Sequence, residues 1–61
     1  MSVYFIHAEV IEKGILVTKV CAIATCSSAE GAFNWFMGSD KVADYKNRGR
    51  DVIIDKLEKV E

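Results

Sequence analysis

His7 is the chain's only histidine, and Cys21 and Cys26 are its only cysteines. A thiol beside an imidazole can make a nucleophile–base pair, so their mutual placement decides whether covalent chemistry is open to this chain. His7 sits mid-strand among apolar neighbours and reads as a strand-surface histidine. Two cysteines and one histidine fall short of the four-ligand set of a structural zinc site. The carboxylates Glu9, Glu12, Asp40, Asp44, Asp51 and Asp55 show no paired spacing suited to general acid–base work and read as solvated charges. Gly31, Gly38 and Gly49 are isolated, so no glycine-rich phosphate loop is present. The residues therefore predict no catalytic group, no metal ligand set and no cofactor: the chain is not expected to be an enzyme.

Lys41, Lys46, Arg48 and Arg50 form a local basic patch with Tyr45 among them. Cations around an aromatic ring can hold a phosphate backbone and stack a base. The competing reading is a solvated helix C-terminus, where cations oppose the helix dipole. No zinc-finger spacing or aromatic RNA-binding strand signature accompanies the patch, so nucleic acid is the second reading of a partner.

Composition points the same way. The chain has 61 residues, 51% of them hydrophobic, with 8 basic and 9 acidic side chains and a net charge of −1. That balance creates no long-range attraction to nucleic acid or to a membrane surface, and it is too weak for a protein that imitates DNA. One domain, residues 1–61, is expected. A chain of this size buries only about 60% of the surface its unfolded form exposes, so its stability should be marginal. The start, Met1-Ser2-Val3-Tyr4, has no basic stretch of the secretory type, no apolar run approaches the length of a membrane span, and two unpaired thiols suit a reducing cytoplasm.

Val3 to Glu12 is rich in β-branched and aromatic residues and reads as a strand. Lys13-Gly14 is a turn signal, and Ile15 to Thr25 forms the second arm of a hairpin. A two-residue loop pairs Glu12 with Ile15 and Ile11 with Leu16. Continued without interruption, that register sets Tyr4 opposite Ile23, Ile6 opposite Cys21, Val10 opposite Val17, Phe5 opposite Ala22 and His7 opposite Val20. His7 and Cys21 then point to opposite faces, as do Cys21 and Cys26, which are five residues apart on one strand.

Ser27-Ser28-Ala29-Glu30 fits a capping box in which the Ser27 hydroxyl accepts from the Glu30 amide. A helix is expected from Ser28 to about Met37, with Ala29, Ala32, Phe33, Phe36 and Met37 inward and Trp35 at the border or outside. Continuing in phase would drive Asp40 into the apolar face. Gly38 therefore ends the first helix, and Ser39 caps a second from Asp40 to about Arg48. The β-branched run Val52-Ile53-Ile54 favours a third strand within residues 50–60. The fold class is α+β: a three-stranded, mostly antiparallel sheet of order ββαβ, with one broken helix or two short helices on one face.

In that uninterrupted register neither sheet face alternates cleanly. One carries Tyr4, Ile6, Ala8, Val10, Val17, Cys21 and Ile23, the other Val3, Phe5, Ile11, Leu16, Val20, Ala22 and Ala24. A single helical layer covers only one face, so an apolar patch should remain for a partner. Interfaces concentrate their energy in aromatic anchors, which nominates Tyr4, Phe5 and Trp35.

A short hairpin, a helix opened by Ser27-Ser28-Ala29-Glu30 and a closing strand at Asp51-Val52-Ile53-Ile54 make this chain resemble very small phage-encoded inhibitors, including those of bacterial RNA polymerase and compact anti-CRISPR proteins. The resemblance spans most of the chain and rests on element order. It implies a stoichiometric binder that blocks a larger host protein in the bacterial cytoplasm. The expected partner is such a protein or a second copy of the chain as a homodimer.

Overall fold

A computed structural model describes residues 1–61. Strand β1 spans Ser2–Glu12 and strand β2 Ile15–Cys26; helix α1 covers Ala29–Met37, helix α2 Asp40–Asn47, and strand β3 closes the chain at Asp51–Lys59. The sheet order is β2-β1-β3 with both pairs antiparallel. This is the expected α+β arrangement with two short helices. Lys13 and Gly14 both have positive φ, 52° and 80°, the signature of the tight turn whose twist matches the flanking strands.

The hairpin register holds at Glu12↔Ile15 and Ile11↔Leu16 and then changes. Val17 is an extra residue on β2, so beyond it Val10 pairs with Thr18, Ala8 with Val20, Ile6 with Ala22 and Tyr4 with Ala24. The uninterrupted register was wrong beyond the turn, and Lys19 supplies the reason. Without the bulge Lys19 would lie opposite Ala8 on the face the helices cover. Burying an unpaired ammonium there would cost several kcal/mol. A bulge shifts every later β2 side chain to the other face. Val20 and Ala24 enter the core instead, while Lys19, Cys21, Ile23 and Thr25 are exposed. β3 uses the same device. His7 pairs with Lys56 but Ala8 with Ile54, leaving Asp55 unpaired, and the phase change lets Val52, Ile54 and Leu57 all reach the core side.

The core joins Tyr4, Ile6, Ala8, Val10, Val20, Ala24 and Val52 of the sheet to Ala32 and Phe36 of α1 and Val42 of α2. α1 lies over β2 and α2 over β3. The cap of α1 is Ser28, not Ser27: its hydroxyl accepts from the Gly31 amide at 3.1 Å. β2 runs to Cys26 and Ser28 itself has extended dihedrals, φ −152° and ψ 162°, so the first turn begins one residue later than the capping box implies. Phe33, expected to face inward, is exposed, as is Ala29. The break between the helices falls where Asp40 requires it. Ser39 Oγ donates to the Phe36 carbonyl at 2.7 Å and accepts from the Val42 amide at 3.5 Å, which couples the end of α1 to the start of α2.

The molecule measures 36 × 17 × 13 Å. At 1.5 Å per residue each helix is only ~12–14 Å long, so the helical layer cannot cover the sheet's full length. At the hairpin tip Ile15, Leu16 and Val17 stay exposed. Arg50 Nε reaches back to Glu12 Oε1 at 3.3 Å and ties the start of β3 to this end of the hairpin.

Candidate protein-binding surface

The bulge at Val17 alters the chemistry first. His7 and Cys21, expected on opposite faces, are direct cross-strand partners on the face away from the helices. Cys21 Sγ lies 3.8 Å from His7 Nε2 and 4.0 Å from Nδ1. Phe5 stands next to them, its ring centroid 4.7 Å from that of His7. A thiol and an imidazole at this distance are within reach of a weak hydrogen bond. They stand, however, on an open sheet surface, no cavity or cleft is present, and no third metal-ligating side chain joins them. Cys26 packs against the core on the opposite face of β2, so the two cysteines are turned away from each other as their spacing requires.

The three nominated anchors separate. Tyr4 is 6% exposed and belongs to the core. It is corrected from a surface anchor to a structural residue, because even-numbered β1 side chains all face the helices. Phe5 is half-buried on the open face. Trp35 is 52% exposed. It shares a helix stripe with Gly31, one turn earlier, and a Cβ on Gly31 would lie 3.6 Å from that of Cys26. Trp35 thus lies on the β2 side of α1.

The basic patch is neutralised locally. Arg48 pairs with Asp44 at 3.4 Å and Arg50 with Glu12 at 3.3 Å, while Lys41 and Lys46 are exposed beside Asp40, Asp44 and Asp51. Tyr45 is half-buried and packs against the core.

The open sheet face also differs from expectation. The two registers place Val3, Phe5, Ile11, Leu16, Cys21, Ile23 and Ile53 there, interspersed with His7, Glu9, Lys19, Thr25, Asp51, Lys56 and Glu58. It alternates in chemistry once the bulges are in place and is not an apolar patch. Most of the exposed large apolar side chains lie along β2 and α1. Ile15, Leu16, Val17 and Ile23 of β2 and Phe33 and Trp35 of α1 are all exposed. Residues 15–37 carry only two charges, Lys19 and Glu30, whereas residues 40–61 carry six cations and six carboxylates. The protein is divided lengthwise into an uncharged flank, β2 with α1, and a charge-balanced flank, α2 with β3.

The sheet faces alone do not reveal that flank. The signal was present in the spacing of charges along the chain, which needs no register to read. No helix is long and apolar enough to cross a membrane. No protein-family model, curated protein or solved structure matches the chain.

Proposed function

We propose that this chain is a non-catalytic protein-binding module that docks through the uncharged β2–α1 flank. The observation that carries the reading is the segregation of charge. Exposed Ile23 and Trp35 stand in a flank with two charges, while the opposite flank holds twelve. Interfaces are depleted of charge at their centres and anchored by aromatic residues, and Trp35 is the anchor. The equal numbers of cations and carboxylates on the α2–β3 flank weigh against a phosphate backbone as the ligand. The element-order resemblance to small phage inhibitors supports the finer reading, a stoichiometric modulator of a host protein acting in a reducing cytoplasm.

The test is capture from bacterial lysate on immobilised chain, read by quantitative mass spectrometry, with wild type, Trp35→Ala and Lys46→Ala compared. Trp35→Ala should lose specific capture at least tenfold while keeping the wild-type circular dichroism spectrum; Lys46→Ala should retain capture. Equal capture by wild type and Trp35→Ala, or loss with Lys46→Ala alone, would overturn the reading.

A further inference from the structure

The two edges of the sheet are built differently. β3 carries Asp51, Asp55, Lys56, Glu58 and Lys59 along one edge, and its bulge at Asp55 divides the ladder into two four-residue runs. Charges and a mid-strand bulge are the usual means of stopping an edge from pairing. β2 has neither. Its bulge falls near the turn, at Val17, so Thr18–Cys26 is a regular run of nine residues with Lys19 its only charge. Val3 exchanges its backbone bonds with the β3 side, at Val60 and Glu61. Alternation then directs even-numbered β1 residues toward β2. Their partners Thr18, Val20, Ala22 and Ala24 bond inward, and Lys19, Cys21, Ile23 and Thr25 turn their backbone groups outward.

We infer that β2 pairs with β2 of a second copy, antiparallel about a two-fold axis at Ala22, to make one continuous six-stranded sheet. This rests on the protein-binding reading above: the occupant of the β2 edge is a second copy of the chain, and a host protein is then met by the dimer. Only an axis at Ala22 lets the whole regular run Thr18–Cys26 pair with its own copy. It sets Lys19 opposite Thr25 of the second copy and Cys21 opposite Ile23 of the second copy, with no like charges facing. Ala22 meets Ala22 at the axis on the helix side, where small side chains leave room for the two α1 helices and their Trp35 rings to approach. The interface is small. The paired run contributes nine residues of β2, with exposed Phe33 and Trp35 of α1 nearby, fewer than the roughly 20–30 per side of a standard interface, so the dimer is expected to be concentration-dependent. A core of 10 buried residues is small, and association is one of the devices by which small domains reach stability.

The test is sedimentation with reductant at 5–200 µM, combined with amide hydrogen exchange. Wild type should sediment at twice the 6.8 kDa chain mass, and the amides of Lys19, Cys21, Ile23 and Thr25 should gain protection with concentration. Ile23→Lys brings ammonium groups diagonally against Lys19 of the second copy and should weaken the dimer at least tenfold. Because Ile23 is 66% exposed, the fold should survive. Cys21→Glu combined with Ile23→Lys should restore the dimer, since each copy's carboxylate then faces the other's ammonium. A monomer at 200 µM, a dimer unmoved by Ile23→Lys, no rescue by the double variant, or outward amides that stay unprotected would each overturn the inference. Trp35-dependent capture by a monomeric wild type would remove the dimer and leave the binding module; a monomer without such capture would remove both.

Discussion

Deleting Val17 should leave the fold and its pairing intact. Val17 is the residue that β1 does not match, and Val10 already faces Thr18 across it. Its removal turns the hairpin into a regular ladder that runs from Glu12↔Ile15 through Ile11↔Leu16 directly to Val10↔Thr18. All side chains from Thr18 onward keep their faces. The losses are small: Val17 is 44% exposed, so about half of a valine's burial goes, on the order of 1 kcal/mol. A recovered ladder hydrogen bond offsets about 0.5–1.5 kcal/mol of that. The net change should lie within ~1 kcal/mol by urea unfolding. The structural readout is a strong Hα–Hα NOE between His7 and Cys21, present in wild type and retained in the deletion. In an unbulged wild type the deletion would instead move the partner of His7 from Val20 to Cys21. A changed partner, or a loss above ~3 kcal/mol, would refute the argument that the bulge exists to keep Lys19 out of the core.

Two further substitutions test local devices. Ser39→Ala removes both the cap of α2 and the hydroxyl bond to the Phe36 carbonyl. It should lower stability by about 1–2 kcal/mol, and thermal melting should fall by roughly 4–8 °C per kcal/mol. Lys13→Asn relieves a non-glycine residue held at φ 52°, where asparagine is tolerated better. It should raise stability by about 0.5 kcal/mol, and an unchanged or lowered melting temperature would count against a tight turn with both φ values positive.

The elements were legible because their signals are local. Lys13-Gly14, Gly38, Ser39 and the Val52-Ile53-Ile54 run each announce a boundary through backbone chemistry alone. The faces were not legible, because a face depends on counting residues across a ladder, and one unpaired residue reverses the count. Val17 and Asp55 each did this. The extra residue at Val17 placed His7 beside Cys21 and put Val20 and Ala24 into the core, and the one at Asp55 brought Val52, Ile54 and Leu57 to one side. Lys19 held the clue: any register that puts a lysine opposite Ala8 beneath a helix carries an unpaired buried charge, and that alone argues for a bulge. The cap at Ser28 in place of Ser27 has the same origin, since the strand's end and not the serine doublet decides where the first turn can start.

The small core and the uncharged flank are consequences of one geometric fact. A sheet along a 36 Å axis is covered by two helices whose lengths of ~12–14 Å leave much of β2 bare. On the α2–β3 side the chain answers with charge, so water satisfies what packing does not. On the β2–α1 side Ile15, Leu16, Ile23 and Trp35 remain in water, each giving up on the order of 1–2 kcal/mol of burial. Set against the 5–15 kcal/mol that separates a folded domain from its unfolded chain, those few side chains represent a large share of the stability within reach. Burial by an interface would recover it without enlarging the core. The same surface therefore bears on stability and on binding, and a binding partner should raise the melting temperature of this protein along with occupying it.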